Sequence, residues 1–377
     1  MPGTHHIFFH DDVDGIISGA LYLHSIDGSR YRLYPVSSIM RGEKFGNLIS
    51  MAKKSKYDVR IVVDYQYHKD ADLWIDHHYD PNFGDCMIKN ENVFYNPKSK
   101  SAARLVSKVI DAPSWHKEGC IQEDLAMVDM IDCADYPDVE MIFKSKHPAM
   151  ILRAYLEKAF PSEMTFCRLV ENIASTKVDI KESLYRMKIG QEHVKDLERS
   201  ALQIKGELLI AKKISIVNQR RRNQYPRYAE YLVMPEIKYC IRLTPVGNGC
   251  VSFQIGFNAW QGEPNKLNIG KVLSEISREY IINAGGHFNV GAGVVKEDGV
   301  NRLIDDISQI FNEEKEGVME KYAVDSTDPV EANATNLVKE GSVKNMDQAR
   351  IEALKNQEKK DGADSPTSSP NASPQTV

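Results

Sequence analysis

Cysteine is scarce and scattered: the six residues at 86, 120, 133, 167, 240 and 250 form no C-x-x-C pair and no dense framework. In a chain of 377 residues this excludes a disulfide-stapled scaffold and reads as reduced, mostly buried thiols of a cytoplasmic protein. Long apolar runs are missing too. No window approaches 18 apolar residues, and the N-terminus has no basic region leading into an apolar stretch, so neither a membrane span nor a secretory signal is expected. His5 and His6 lead straight into an apolar segment and read as native residues rather than a tag remnant. A net charge of −5 gives no global attraction to a polyanion, so a nucleic-acid site would have to be a local basic patch. No G-x-S-x-G elbow or comparable nucleophile motif is present. What is there is an ordinary soluble composition, 42% hydrophobic and 27% charged, in a chain long enough for two cores.

The pattern predicts an α/β protein. "HIFFH" reads as a short buried strand followed by a loop and a helix from about "GIISGALYLHSI". "YDVRIVVDY" and "ADLWIDHH" read as further strands, ending on Asp64 and Asp76. Short apolar strands separated by helical stretches predict an open, mostly parallel sheet with flanking helices, a domain over residues 1–160. Residues 161–208 read as a helical connector and 209–318 as a smaller α/β domain. The latter starts near "LLIAKKISIV"; "YLVM", "KYCIRLTPV" and "CVSFQIGF" are its strand candidates, and "FNVGAGVV" reads as a closing strand. Between them a helix is expected over "NIGKVLSEISREYIINA", with Ile269, Val272, Leu273, Ile276 and Tyr280 on one face and its end at Gly285–Gly286. A last helix carries Leu303, Ile304, Ile307, Ile310 and Phe311. Residues 319–377 are polar and low in aromatics, a composition that predicts a disordered tail.

In "FFHDDVDG", residues 8–15, one histidine and three aspartates occupy five consecutive positions. In an extended strand end, alternate side chains share a face, so His10, Asp12 and Asp14 are expected on one side and Asp11 on the other. Asp64 and the Asp76-His77-His78 triplet end the neighbouring strands, and ligands of open α/β sheets bind outside the carboxyl ends of strands. Carboxylates gathered there must protonate or find cations, and neither motif contains a basic residue. Oxygen donors mixed with imidazole suit Mn, Fe, Co or Zn better than Ca or Mg, and the lack of nearby cysteines argues against a structural thiolate zinc. Taken singly, each residue also reads as a helix cap or turn former; taken together, the three strand ends read as a metal centre.

"HDDVDG", the strand-ending Asp64 and "DHH" at 76–78 resemble the first three motifs of the DHH phosphoesterase superfamily, which includes RecJ-type exonucleases, nano-RNases, cyclic-dinucleotide phosphodiesterases and family II pyrophosphatases. "MVDMIDCADYP" resembles the fourth, with Asp132 preferred and Asp129 and Asp135 as alternative registers. "GGHFNVGAG" at 285–293 resembles the signature of the DHH-associated C-terminal domain of the nuclease-type branch, and the resemblance spans roughly residues 5 to 315. It implies two metal ions, usually manganese, with magnesium or cobalt as substitutes. His10 and Asp12 would bind one ion, Asp14, His77 and Asp132 the other, and Asp64 would bridge them. Asp76 would orient a ligand histidine and His78 would face the substrate phosphate. Two such ions, about 3.5–4 Å apart, can bridge a water, lower its pKa and hold a hydroxide for in-line attack on phosphorus.

Gly285 and Gly286 have two readings: a left-handed helix C-cap, or a backbone cradle for phosphate to which His287 adds a donor. Ser101 in "NPKSKSAARLV" reads as an N-cap, and because related enzymes carry a similar serine motif near the site, Ser101 and Arg104 are candidate substrate residues. "NQRRRNQYPRYAEY" interleaves Arg220, Arg221, Arg222 and Arg227 with Tyr225 and Tyr228, a pattern suited to single-stranded nucleic acid as well as to a solvated loop. Asn258 and Trp260 either contact a base or pack a loop. The leading expectation is a manganese-dependent phosphodiesterase or exonuclease acting on short single-stranded oligonucleotides or linear dinucleotides, as a monomer or homodimer. A pyrophosphatase or polyphosphatase is the second enzyme reading, disfavoured by the nuclease-type signature, and a non-catalytic nucleotide-binding module is the third. One departure stands out: where many nuclease-type members place a proline and small residues after the signature histidine, this chain has Phe288, Asn289 and Val290.

Overall fold

Strand β1 (Thr4–His10) runs through the centre of the first sheet. Its residues alternate between two cores: Ile7 and Phe9 pack on one face, and Phe8 on the other. The same alternation recurs in β3 (Val59–Val63), with Ile61 and Val63 beside Ile7 and Phe9 and Val62 beside Phe8. Strands buried on both faces need continuous apolar runs, which is why these segments were legible. With β2 (Arg30–Val36), β4 (Leu73–Asp76), β5 (Ile88–Lys89) and β6 (Val93–Tyr95) they form a six-stranded sheet of order β2-β1-β3-β4-β6-β5, parallel except for β5. This is a computed structural model; it describes residues 3–313 apart from 27, 38–39, 41–42, 53–54, 79–82, 84–85, 111–118, 212–213, 219–224, 264, 277–278 and 287–288, so the tail expected at 319–377 lies outside the described residues.

Helix α1 (Val13–Ser25) and the later helices α3 (Ala102–Val109), α4 (Gly119–Cys133), α6 (Pro148–Ala159) and α7 (Glu163–Ser175) close one face of the sheet. Helix α2 (Glu43–Ala52) covers the other, laying Phe45 and Ile49 over Phe8, Val62 and Trp74. Helices α5 (Val139–Lys144), α8 (Ile180–Arg186) and α9 (Glu192–Gln203) complete the helical stretch. Its early part packs into the first core: Phe166, Leu169, Val170 and Ile173 of α7 lie with Ile16, Ile17 and Ala20 of α1.

A second sheet follows, of order β11-β12-β10-β9-β8-β7. Its strands are β7 (Leu208–Ala211), β8 (Ile214–Asn218), β9 (Tyr239–Gly247), β10 (Cys250–Phe257), β11 (Ile281–Gly286) and β12 (Val290–Lys296), antiparallel except for the β8–β9 pair. Helices α11 (Ile269–Glu275) and α12 (Val300–Glu313) cover the face carrying Tyr239, Ile241, Leu243 and Phe253. The opposite side of β9 joins α5, α6, α9 and the short α10 (Ala229–Val233) in a further core around Phe143, Leu197, Tyr231 and Cys240.

Four sequence expectations are corrected. "YLVM" is not a strand: Tyr231–Val233 belong to α10 and Tyr231 packs into the core. The helix expected up to Ala284 stops at Glu275, and Ile281–Gly286 form strand β11 against β12. Ile276 and Tyr280 are buried in the same core as Ile269, Val272 and Leu273, so the 3.6-residue spacing was met by a helix and the turn after it. Antiparallel pairing then claimed the β-branched Ile281 and Ile282. The helix C-cap reading of Gly285 and Gly286 falls with it. Lastly, β2 was missed because Arg30, Arg32 and Pro35 break its apolar pattern; as an edge strand it tolerates the proline.

Candidate metal centre

The chain leaves β1 at His10 and enters α1 almost at once, so His10, Asp12 and Asp14 do not share an extended strand face as expected. Asp12 is the N-cap of α1, its Oδ1 accepting from the Gly15 N–H at 3.0 Å, and Asp14 lies in the first turn. The tightness of this turn depends on Gly15, where a Cβ would lie 2.2 Å from the His10 carbonyl oxygen. The side chains converge all the same. His10 Nδ1 is 2.9 Å from Asp12 Oδ2 and 3.8 Å from Asp64 Oδ2.

Asp64 follows β3 directly with φ of 55°, a left-handed turn that aspartate tolerates better than most residues. Its carboxylate is fully buried. Chain order runs from β1 to β2 on one side and then back past β1 to β3 on the other. His10 and Asp64 therefore flank the topological switch point, where open sheets leave a crevice. From the end of β4, Asp76 Oδ1 accepts from the His77 N–H at 2.7 Å, the His78 N–H at 3.2 Å and His78 Nδ1 at 2.9 Å. This oxygen thus holds the His78 ring and the backbone that leads into it.

His77 Nδ1 lies 2.9 Å from the Ser99 carbonyl oxygen, a contact that requires the proton on Nδ1. In the neutral ring Nε2 then carries a lone pair, and it faces three carboxylates: Asp132 Oδ2 at 3.1 Å, Asp14 Oδ2 at 3.6 Å and Asp64 Oδ1 at 3.7 Å. Acceptors crowded on an acceptor call for a cation between them. With only protons available, burial disfavours the imidazolium, but Asp132 beside it, with Asp14 and Asp76, prevails and lifts His77 to about 10. Burial and then the Asp132 charge push Asp14 up to about 7, against the pull of His77 and the Ala103 N–H. Three sets of donor atoms lie within 4.8 Å of one another: His10, Asp12 and Asp64; Asp14, His77 and Asp132; and Asp64 with Asp76, His77 and His78. Asp64 is shared between sets, and this mixed imidazole and carboxylate donor set fits divalent ions of the Mn, Fe, Co and Zn class.

No protein-family model matches the chain, and no curated protein matches it. Among solved structures the fold is similar to that of a pGpG-specific phosphodiesterase, PggH from Vibrio cholerae, with a TM-score of 0.59 and 18% identity, covering 82% of this chain and 99% of that one. It is also similar to a DHH domain described as a member of the s1p family of ribosomal proteins (TM-score 0.51, 13% identity, 82% of this chain and 87% of that one). A third similar structure is exonuclease RecJ bound to manganese (TM-score 0.51, 10% identity, 84% of this chain and 92% of that one). The chain has the DHH superfamily fold.

Within this DHH fold the three aspartates of the fourth-motif segment have different surroundings. Asp132 is buried and faces His77; Asp135 is exposed and pairs with Lys100 at 3.1 Å. Asp129 accepts from Ser101 Oγ at 2.5 Å and from Arg104 Nε and Nη2 at 3.0 and 2.7 Å. Ser101, the N-cap of α3, is fully buried, so its hydroxyl and the Arg104 fork serve Asp129 rather than open crevice. Sequence reading also missed the Ala102 and Ala103 N–H groups, which donate to Asp14 Oδ2 and Oδ1 at 2.7 and 2.8 Å, and the Ser99 carbonyl. Small residues after a capping serine were the available signal for a helix start aimed at a carboxylate.

The second half of the DHH fold gives a mixed outcome. Gly285 and Gly286 pair with Ala292 and Gly291 in the β11–β12 ladder, while His287 lies outside the described residues, as do Arg220, Arg221 and Arg222. Tyr225 is buried, and Tyr228 meets Trp260 edge-on at 5.5 Å, so these aromatics pack a core instead of offering stacking faces. Trp260 Nε1 donates to the Tyr136 carbonyl at 2.9 Å, and Asn258 Nδ2 donates to the Pro235 and Ile237 carbonyls. Asn289 explains part of the departure after the signature histidine: its side chain accepts from Asn265 Nδ2 at 2.9 Å and its carbonyl from the Phe257 N–H at 2.9 Å. No helix among the described residues is long and apolar enough to cross a membrane.

Proposed function

We propose that this chain is a divalent-metal-dependent phosphoesterase, a cytoplasmic phosphodiesterase or exonuclease acting on short oligonucleotides or linear dinucleotides. The observation that carries the reading is the convergence of three donor sets at the switch point of the sheet, two of them joined by Asp64 and two by His77. Likeness in fold to a pGpG-specific phosphodiesterase and to RecJ bound to manganese adds support for that class of substrate and for manganese.

On this reading His10, Asp12 and Asp64 hold one ion and Asp14, His77 and Asp132 hold the second, with Asp64, 3.7 Å from His77 Nε2, as the bridge between them. The two ions would supply positive charge to the phosphoryl oxygens and lower the pKa of a water. The chain's own side chains do the rest. Ser99 and Asp76 fix the orientation of His77 and His78. With Nδ1 committed to Asp76, His78 has Nε2 left for the substrate; as the imidazolium it donates to a phosphoryl oxygen or passes a proton to the leaving oxygen. Gly285 and Gly286, bare of side chains, allow the backbone of the second domain to approach a phosphate.

The test is hydrolysis of a 5′-labelled dinucleotide, with pyrophosphate in parallel, in manganese, magnesium or EDTA, with Asp64→Asn as control. Mononucleotide release that needs the metal and is lost in the variant supports the proposal. Phosphate released from pyrophosphate alone would replace it with the pyrophosphatase reading.

A further inference from the structure

Asp129 and Asp132 are one helical turn apart on α4 and have different company. Asp132 looks into the metal crevice, whereas Asp129 is buried against the start of α3. Both Asp129 oxygens are taken: Oδ1 by the Ser101 hydroxyl, Oδ2 by the Arg104 fork. Having spent its only proton on Asp129, Ser101 Oγ accepts from the Arg104 N–H at 3.1 Å and so caps α3. Arg104 Nη1 reaches Gln122 at 3.1 Å, seven residues before Asp129 and therefore about two turns away on the same face of α4. Cys133 Sγ adds a contact to the Lys100 carbonyl at 3.2 Å. Five side chains thus clamp α4 to the beginning of α3.

The beginning of α3 is also what holds Asp14. Its Ala102 and Ala103 N–H groups take the two Asp14 oxygens, and Asp14 and Asp132 stand on either side of His77 Nε2. The contacts close a ring: Asp129 to α3, α3 to Asp14, Asp14 across His77 to Asp132, and Asp132 back along α4 to Asp129. A shift of α4 against α3 therefore changes the Asp14–Asp132 spacing, the span across which one ion would be held.

From this ring we infer that Ser101, Arg104 and Asp129 form a positioning clamp for the Asp14–His77–Asp132 ion site, and that Arg104 and Ser101 are not substrate ligands. The inference rests on the two-ion reading of the crevice. It assigns to the pair a role opposite to the one their serine motif suggested: they act on the metal through Asp129 and leave the substrate untouched.

The experiment is calorimetric titration of the metal-stripped full-length protein with MnCl2, comparing wild type with Arg104→Lys, Arg104→Met and Ser101→Ala, alongside steady-state hydrolysis of a dinucleotide at saturating manganese. Loss of supporting contacts around metal ligands typically lowers affinity about 10–100-fold. The clamp predicts such a loss for one of the two ions only, with the other unchanged, and near-normal KM once manganese saturates. Arg104→Lys keeps the charge but not the fork and should fall between wild type and Arg104→Met. Circular dichroism separates a shifted site from an unfolded one, and Arg104→Lys, at a partly exposed position, is the variant least able to unfold the chain. Unchanged manganese affinity with a raised KM would overturn the inference and restore a substrate role. Equal weakening of both ions would also overturn it. A wild type that binds two ions but hydrolyses nothing would defeat the proposed activity while leaving the clamp standing on the titration; a wild type that binds none would defeat both.

Discussion

Loading the crevice with a metal ion should expel protons, and the number should depend on pH in a calculable way. Two groups around the second donor set hold protons in the metal-free state: Asp14, pushed up to about 7 by burial and Asp132, and His77, lifted to about 10 by its carboxylates despite burial. A cation needs both deprotonated. At pH 6 both are protonated and roughly two protons leave per ion; by pH 8 Asp14 has titrated and roughly one leaves, from His77. Affinity for the ion should therefore rise by roughly a thousandfold between pH 6 and 8, the integral of that slope. The stability sign follows the same groups. Both pKa values are raised on folding, so the stability they contribute is present at low pH and is lost as pH climbs through about 7 for Asp14 and about 10 for His77. The metal-free protein should thus lose melting temperature between pH 6 and 8 while the manganese-loaded protein does not. Titration with MnCl2 in buffers of different ionisation enthalpy reads the proton count directly. Heats that do not depend on the buffer, or affinity that falls as pH rises, would contradict this proton release.

Other outcomes test the scaffold and its compromises. Asp64→Asn keeps a residue that tolerates φ of 55° but removes the shared carboxylate, so it should abolish the gain in melting temperature from manganese. Arg242 donates to Glu230 and to the Tyr225 and Pro226 carbonyls inside the second half of the chain; Arg242→Met strands a buried carboxylate and should cost about 3–5 kcal/mol in urea denaturation. At Gly291 a Cβ would sit 2.4 Å from Leu273 Cδ1, so Gly291→Ala should cost about 1–3 kcal/mol, and adding Leu273→Ala should recover part of it in a double-mutant cycle.

Legibility from sequence followed the physics of each element. Strands buried on both faces, such as those carrying Phe8–Phe9 and Ile61–Val63, announce themselves by composition, and their Asp and His ends were readable as one edge of one sheet. Periodicity failed where two elements shared one core: Ile269 to Tyr280 kept helical spacing through a helix and a turn, and nothing local marked Ile281 as the start of a strand. The aromatic and basic stretch at 218–231 misled because Tyr225 is buried and Tyr228, partly buried, packs against Trp260, a tertiary fact with no local signature. Choosing among Asp129, Asp132 and Asp135 likewise needed the fold: the phase of α4 turns Asp132 and not Asp129 to His77, and Asp135 lies past the end of the helix.

On the proposed reading, Asp64 joins two metal subsites in one crevice. Anomalous diffraction at the manganese edge from crystals soaked in MnCl2 tests it most directly. Two peaks are predicted, one among His10, Asp12 and Asp64 and the other among Asp14, His77, Asp132 and Asp64, with Asp64 in contact with both. A single peak that Asp64 does not touch, or no peak in the crevice at saturating manganese, would contradict it.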